Sequence, residues 1–336
     1  MESKYKVALM HVSPVFLDTK KTIDKVCSLI EEASSKGARL IAFPETFVSA
    51  FPIWSALRAP IYNHKWFNLL AAQTVHIDGP EVARVCEYAK KHEVFVSLGI
   101  NEGTKDSVGC IWNSNLLIDS HGQVINHHRK LVPTYWEKLV WANGDGAGLR
   151  VSDTSLGRIG MLICGENFNP LSRFSLIAQG EQLHISSYPP VWPAYDPKNG
   201  VPWSVAEGIK IRAGAHALEA KVYNLACAAY MDNQMRDLLA DGDSEAARIL
   251  DESPRGMSLV MDPMARIIGE PIQNSEGILY ADVDLQLCTE AKQLHDLSGY
   301  YNRFDVFELR VNRSRNRPAD FFDDAPQAGL PTELPD

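Results

Sequence analysis

The sequence lacks the features that mark several classes of protein. None of its six cysteines forms a Cys-x-x-Cys pair, so neither a zinc site nor a redox dithiol is indicated. No run approaches the roughly 18 apolar residues of a membrane span, and the first ten residues lack the apolar stretch of a signal peptide. We therefore expect a cytoplasmic protein with no membrane partner, in which most cysteines are small buried apolar residues.

Positive charge is also in short supply. The 336 residues include 33 Lys and Arg against 42 Asp and Glu, which gives a net charge of −9. Because an acidic surface repels phosphate groups, nucleic acid is excluded as a partner. Hydrophobic residues make up 45% and charged residues 22%, the composition of an ordinary globular protein with a large core.

The chain reads as one domain followed by a tail. No linker or shift in composition interrupts residues 1–300, whereas residues 318–336 contain four prolines, five acidic residues and no Lys or Arg. Such a composition is typical of an extended segment. We predict one catalytic domain over residues 1–310 and an acidic, proline-containing tail over residues 311–336.

Apolar strand-like runs alternate with helical patterns along most of the chain. Residues 6–11 predict a buried strand, residues 23–33 an amphipathic helix, and residues 40–43 a strand stopped by Pro44. Further strands are predicted at 94–100, 115–119, 123–126, 158–164, 182–186, 223–229, 258–261, 266–268 and 278–283, and further helices at 82–89, 170–179 and 204–220. This alternation indicates an α/β protein. Periodicity alone leaves open two stacked mixed sheets or one doubly wound sheet.

Reactive side chains follow three of the predicted strands. Glu45 follows the second strand, Lys130 follows the strand after a hairpin, and Cys164 ends the strand that begins at residue 158. Each has a simpler interpretation alone: a solvated carboxylate, a surface lysine or a buried thiol. Ligands of α/β sheets bind beyond the carboxyl ends of strands, and together the three residues supply a base, a cation and a nucleophile.

The residues around these three positions resemble the signature blocks of the nitrilase superfamily. The blocks are Phe43-Pro44-Glu45, His128-Arg129-Lys130-Leu131 and Cys164-Gly165-Glu166-Asn167, in the family's order. Their separations, 130 − 45 = 85 and 164 − 130 = 34 residues, are of the family's kind. The likeness to the nitrile-hydrolysing branch continues at residues 130–134, Glu137, Trp141, 144–146, 169–171, 178–181 and 184–187, and more loosely at 299–301 and 303–306. It covers roughly residues 5–310.

The resemblance implies a four-layer α-β-β-α sandwich and a catalytic triad of Glu45, Lys130 and Cys164. It places Glu137 as a second glutamate beside the lysine. It also implies hydrolysis of an organic nitrile to a carboxylic acid and ammonia through thioimidate and thioester intermediates, with water as the co-substrate and without a metal or organic cofactor. Members of the family commonly form spirals, so the resemblance implies a homo-oligomer, for which the apolar stretch 300–307 is a candidate contact.

One departure from the nitrile-hydrolysing branch concerns the substrate pocket. That branch usually has tryptophan directly after the nucleophile, where this chain has Gly165. Aromatic residues in loops near the strand ends are further candidates for the pocket wall, although they would equally suit packing of the loops. These residues are Trp54, Trp136, Tyr188 and Trp192.

A histidine dyad is the main alternative to the triad. His127 or His128 could pair with Cys164 as in a Cys-His hydrolase. Neighbouring residues on a strand face opposite sides, however, so both histidines cannot line one site. Glu166 and Asn167 follow Cys164 and are expected to satisfy N–H groups of a helix or turn that begins there.

Three other functions remain open. An amidase or carbamoylase would use the same triad and form the thioester directly from an amide. Nitrile hydrolysis that stops at the amide differs only in how one tetrahedral intermediate breaks down. A non-catalytic binding protein would be expected to lack a triad member, and all three are present.

Overall fold

The computed structural model describes residues 3–200, 203–317 and 319, and within them twelve strands form two six-stranded sheets. The strands are β1 (Lys4–His11), β2 (Ala38–Ala42), β3 (Phe95–Glu102), β4 (Trp112–Ile118), β5 (Val124–Arg129), β6 (Ser152–Thr154), β7 (Gly157–Ile163), β8 (Leu183–Tyr188), β9 (Tyr223–Ala228), β10 (Ser258–Met261), β11 (Ile267–Ile272) and β12 (Gly277–Asp284). The helices are α1 (Thr19–Ser35), α2 (Trp54–Leu57), α3 (His64–Ala71), α4 (Pro80–Lys91), α5 (Pro170–Ile177), α6 (Val205–Ala220), α7 (Asn233–Ala240), α8 (Ser244–Glu252) and α9 (Gln286–Leu294).

The two sheets pack face to face with helices on both outer sides. The first has the strand order β12-β1-β2-β3-β4-β5 and the second β11-β10-β9-β8-β7-β6. Apolar residues of both sheets, among them Leu9, Met161 and Leu225, form a buried layer between them. Helices α1 and α4 cover the first sheet and α6 covers the second. The predicted α-β-β-α sandwich is therefore confirmed, and the alternative of one doubly wound sheet is wrong.

The alternation of side chains along the strands explains why the sheets stack. In β1, Val7 and Leu9 face the second sheet, while Ala8 and Met10 face the helices. Both faces are apolar, so the strand must be covered on both sides. Burial of each large aliphatic side chain contributes about 1.5–3 kcal/mol to folding, which makes this four-layer arrangement favourable.

Several helices outside the sandwich do not follow from the sequence patterns. Helices α2, α3, α7 and α8 are short, and with the neighbouring loops they bury a separate apolar cluster that includes Trp66, Leu70, Met235 and Leu239. Helices of four to nine residues have too few turns for a clear helical period. Among the described helices, none is both long and apolar enough to cross a membrane.

The first residues of the predicted tail return to the body of the protein. Arg315 forms an ion pair with Asp145 at 3.1 Å between Nη1 and Oδ1, and the backbone N–H of Asn316 donates to Oδ2 of Asp145 at 2.9 Å. Most of the predicted acidic tail, residue 318 and residues 320–336, lies outside the described residues.

Candidate active site

The ends of β2, β5 and β7 bring three reactive side chains together. Strands β2 and β5 run in the same direction within the first sheet, so their carboxyl ends lie at one edge, and β7 reaches that edge from the second sheet. Nζ of Lys130 lies 2.8 Å from Oε1 of Glu45. Sγ of Cys164 lies within 4.8 Å of carboxylate oxygens of both Glu45 and Glu137.

Glu45 is held in a fully enclosed position. Its side chain is completely buried, and Oε1 accepts hydrogen bonds from Lys130 at 2.8 Å and from Nδ2 of Asn113 at 2.7 Å. Oε2 is buried and has no hydrogen-bond partner. The turn that carries Glu45 packs against Gly99 of β3, where a Cβ would lie 2.1 Å from the carbonyl oxygen of Pro44.

Glu137 anchors the lysine from the other side. Its Oε2 lies 2.6 Å from Nζ of Lys130 and accepts the backbone N–H of Thr134 at 2.8 Å. Its Oε1 accepts the indole N–H of Trp192 at 3.1 Å. Since both carboxylates flank one buried ammonium, Lys130 is fixed with its charge between them, and the ring of Trp141 lies 5.7 Å from Nζ.

Cys164 sits at a sharp turn directly after β7. Its φ of 49° is in the left-handed region, which is unfavourable for a residue with a Cβ. The short 3₁₀ helix Cys164–Phe168 follows. Asn167 donates from its amide to the carbonyl of Cys164 at 3.1 Å, so it supports the turn through a carbonyl and not through an N–H group.

Glu166 ties two of the strand ends together. Its Oε2 accepts the N–H of Ile163 at 2.7 Å and its Oε1 accepts the N–H of Leu131 at 2.6 Å. Nε2 of His128 lies 2.8 Å from Oε2. The carboxylate thus fixes the segment that carries Lys130 relative to the segment that carries Cys164. From the sequence, Glu166 is expected only to accept hydrogen bonds from N–H groups of the turn that begins at Cys164.

The electrostatics of the site separate the roles of the ionisable groups. Burial raises the pKa of Glu45 to about 7, with Lys130 opposing and Glu137 reinforcing the change. Burial also raises the pKa of the Cys164 thiol, and Glu45 adds to that effect. For Lys130, burial lowers the pKa, but the charges of Glu137 and Glu45 outweigh it, so the pKa is raised and the ammonium persists. The resting site therefore holds a neutral thiol beside a carboxyl group that titrates near neutrality.

A second buried cluster lies behind the Cys164 turn. Glu181 lies 2.8 Å from Nδ1 of His184 and 2.7 Å from Nε2 of His216, and Nε2 of His184 lies 2.8 Å from Oδ1 of Asn167. The three ionisable groups are close enough to hold a metal ion, but their ring nitrogens and carboxylate oxygens already contact one another. In the Glu45–Glu137 pair, the Lys130 ammonium lies between the carboxylates.

Beside Cys164 opens a cavity of about 500 Å³ with mostly apolar walls. Its walls are formed by Thr134, Tyr135, Cys164, Gly165, Phe168, Tyr188, Pro189, Trp192, Ala194, Tyr195, Trp203, Val205 and Arg212. Three of the predicted pocket residues, Gly165, Tyr188 and Trp192, are thus on the wall.

Trp54 is not brought to this cavity. The loop after Glu45 folds into α2, and Trp54 is 2% exposed in the apolar cluster that also contains Phe51. Trp54 therefore packs the loops, which is the alternative to a position on the pocket wall. Trp136 is similarly buried, with its ring stacked 5.8 Å from that of Trp192, so it supports the cavity wall from behind.

The two adjacent histidines have other partners than the thiol. His127 lies 2.7 Å from Oε2 of Glu102, and His128 pairs with Glu166. They face opposite sides of β5, as strand alternation predicts. The histidine-dyad alternative therefore has no support in the geometry.

Two functional candidates escaped the sequence analysis. Asn113 is a polar residue inside a buried strand, and Arg212 is a cation on the buried face of α6, between Ile209 and Ala213. Each carries the same signal, a polar side chain at a position where the pattern requires an apolar one. The partners of both residues lie far away in sequence, so the signal alone would not have assigned a role.

Comparison with known proteins identifies the family of the chain. Residues 6–293 match the model of the carbon-nitrogen hydrolase family. The chain is 34% identical to a nitrilase of Paraburkholderia phymatum, over 94% of this chain and 87% of the relative. It is 32% identical to an aliphatic nitrilase of Rhodococcus rhodochrous (94% and 84%) and 33% identical to an arylacetonitrilase of Hypocrea virens (92% and 92%).

Solved structures share the fold at lower sequence identity. A member of branch 10 of the nitrilase superfamily from Saccharomyces cerevisiae has a TM-score of 0.68 and 20% identity, covering 89% of this chain and 97% of its own. An amidase from Nesterenkonia has a TM-score of 0.60 and 17% identity, covering 88% and 97%. With its two-sheet sandwich and its match over residues 6–293, the chain belongs to the carbon-nitrogen hydrolase family of the nitrilase superfamily.

Proposed function

We propose that this protein is a nitrilase that converts an organic nitrile and two water molecules into a carboxylic acid and ammonia. The observation that carries the proposal is the position of Cys164, which opens to an apolar cavity on one side and lies beside the Glu45–Lys130–Glu137 ion cluster on the other. The names of the relatives at 32–34% identity support the choice of nitriles.

In the first step, Glu45 takes the thiol proton while the sulfur attacks the nitrile carbon. A thiol with a raised pKa is not ionised at rest, so the proton must leave during attack, and a base with a pKa of about 7 is suited to accept it. The nitrile nitrogen gains the electron pair of the broken π bond. Lys130 and the backbone N–H of Gly165 stabilise the charge on that nitrogen. Glu45 then gives the thiol proton to the nitrogen, which yields the neutral thioimidate and returns Glu45 to its carboxylate form.

The following steps each consume one water. Glu45 removes a proton from the first water as it adds to the thioimidate carbon, and the proton passes on to the nitrogen. The tetrahedral intermediate expels ammonia and leaves a thioester. A second water, again activated by Glu45, displaces the thiol and releases the acid. Glu137 holds Lys130 and takes no proton in this scheme, because both of its oxygens are already bound by donors.

An amidase or carbamoylase is the second candidate function, since an amide would form the same thioester in one step. The triad alone does not distinguish a nitrilase from an amidase. A nitrile has no carbonyl oxygen, so only the charge on its nitrogen needs to be stabilised. Release of the amide from the tetrahedral intermediate is a third outcome, and product analysis distinguishes all three.

The test is to incubate the purified protein with aliphatic, aryl and arylaceto nitriles beside the matching amides and to measure acid, amide and ammonia. Acid and ammonia from a nitrile, lost in Cys164→Ala and kept in the control Cys86→Ala, are the expected result. Cys86 is a partly buried cysteine on α4. Turnover of amides alone would assign the protein to the amidases, and activity in Cys164→Ala would reject this nucleophile.

We also propose that the protein assembles into a homo-oligomer. Large apolar side chains are exposed on α5 and α6, among them Leu171 (62%) and Ile211 (66%), and the segment after α9 exposes Tyr300 (65%) and Phe307 (72%). Such surfaces favour association. Light scattering after size exclusion should give a mass of at least two chains, and a single 37.4 kDa species at all concentrations would contradict the proposal.

A further inference from the structure

Arg212 is a buried cation on the wall of the substrate cavity. It projects from the buried face of α6 and is only 6% exposed. Among the described residues that line the cavity, it is the sole guanidinium or ammonium group, and no carboxylate of the described residues forms an ion pair with it. Its polar neighbour is the Tyr188 hydroxyl. An unpaired charge at such a position is costly unless a partner arrives.

Aromatic rings hold the guanidinium in place without neutralising it. The guanidinium carbon lies 3.4 Å from the ring centroid of Phe168, 5.7 Å from that of Trp203 and 5.9 Å from that of Tyr188. Stacking of this kind fixes the plane of the group but leaves its N–H donors unused. Nε of Arg212 is buried and makes no hydrogen bond.

A second unused donor lies on the same wall. The hydroxyl of Tyr188 is buried without a hydrogen-bond partner. Burial raises the pKa of Tyr188 to about 12, so the hydroxyl keeps its proton and remains a donor near neutrality. A guanidinium without an ion pair and a neighbouring phenol, both on the wall of an apolar cavity, match the two oxygens of a carboxylate.

We propose that the substrate carries a carboxylate in addition to its nitrile, and that Arg212 and Tyr188 bind this carboxylate while Cys164 attacks the nitrile carbon. The inference rests on the proposed function and deepens it by naming the substrate class. The balanced reaction is N≡C–R–COO⁻ + 2 H₂O → ⁻OOC–R–COO⁻ + NH₄⁺. The apolar walls of the cavity contact the connecting carbon chain R, which must fit within about 500 Å³.

The proposal is tested by comparing an ω-cyano alkanoate series with neutral alkyl nitriles of the same length. The wild type is expected to prefer the anionic members in kcat/KM. Arg212→Gln should lower the ratio of anionic to neutral kcat/KM by about 100-fold, because one partner of a desolvated charge pair is lost. Arg212→Lys keeps the charge without the planar fork and should retain part of the preference. Tyr188→Phe should lower the ratio by about tenfold or less.

Lys210→Gln is the matched control, because Lys210 is an exposed cation on the same helix and should leave the ratio unchanged. A ratio that does not fall in Arg212→Gln, or a wild type that prefers neutral nitriles, would overturn the proposal. Circular dichroism and thermal melting show whether Arg212→Gln is folded. If it is not, the kcat/KM ratio of Arg212→Lys is the test of the proposal.

Binding separates failure of this inference from failure of the proposed function. In calorimetry, Cys164→Ala should bind the ω-cyano alkanoate, and Cys164→Ala with Arg212→Gln should not. If no nitrile is hydrolysed but this difference holds, the carboxylate site stands and the nitrilase proposal fails. If nitriles are hydrolysed and binding does not depend on Arg212, the carboxylate site is rejected.

Discussion

Asn113 and Lys130 donate to the same oxygen of Glu45. Nδ2 of Asn113 lies 2.7 Å from Oε1, Nζ of Lys130 lies 2.8 Å from it, and Oε2 has no partner. The two donors therefore fix the orientation of the carboxylate and leave one oxygen for the proton of Cys164. In this arrangement the protonation state of Glu45 controls whether the nucleophile can be activated.

The pH dependence of kcat/KM should report that protonation state. Because Glu45 acts as a base and burial raises its pKa to about 7, activity should be low in acid and rise with pH through about 7. Asn113→Ala removes a hydrogen bond that favours the charged form, so the acidic limb should move upward by about half to one pH unit. Initial rates of the wild type and of Asn113→Ala between pH 5 and 9 test this prediction. If the acidic limb has the same position in both, a group other than Glu45 is responsible for it.

Glu137→Gln should move the same limb in the opposite direction. The negative charge of Glu137 raises the pKa of Glu45, so its removal lowers that pKa and shifts the limb downward by about one pH unit. The turnover number should also fall, because Lys130 loses its second carboxylate. If Asn113→Ala and Glu137→Gln shift the limb the same way, Glu45 is not the titrating base.

Lys130→Met should destabilise the fold in a pH-dependent way. Without the ammonium, two fully buried carboxylates face each other, and loss of one partner of such a cluster costs about 3–5 kcal/mol. The variant lacks the charge that opposes burial at Glu45, so the pKa of Glu45 in the folded variant rises further above its unfolded value, and stability is lost as pH rises through it. Urea unfolding should show a deficit that shrinks between pH 8 and 5. A constant deficit would indicate lost packing alone.

Gly99→Ala should damage catalysis although residue 99 contacts no substrate. Its Cβ would lie 2.1 Å from the carbonyl of Pro44 and 2.6 Å from the backbone nitrogen of Thr46, so the turn with Glu45 must move. Misplacement of a catalytic group by about 1 Å lowers kcat by about 100-fold. Gly109→Ala is the control, because a Cβ there meets nothing within 4 Å. Equal rates in both variants would contradict this role of Gly99.

The sequence predicts much of the site because its key motifs are local. Glu45, Lys130 and Cys164 each follow a strand within a contiguous block, so the strand pattern and the resemblance locate them together. The structure also explains the glycine at position 144, which belongs to one of the matching stretches. A Cβ there would lie 2.4 Å from the carbonyl oxygen of Arg129. The α-β-β-α sandwich likewise follows from the resemblance and is confirmed.

The rest depends on contacts between distant segments. Asn113 is separated by 68 residues from Glu45, to which it donates a hydrogen bond, and Arg212 stacks on Phe168 of another helix. No local sequence pattern therefore predicts either contact. Trp54 shows the same limit in reverse. It follows Glu45 closely in sequence, but the chain turns into α2 and buries the indole away from the cavity.

The most direct test of the account is to identify the covalent intermediate. Wild-type protein mixed with a turned-over nitrile and quenched in acid should show an intact mass increased by the nitrile, as thioimidate, or by the corresponding acyl group, as thioester. Peptide mapping should place the adduct on Cys164, and Cys164→Ala should show none. An adduct on another cysteine, or full turnover with no adduct at any quench time, would contradict the assignment of Cys164 as the nucleophile.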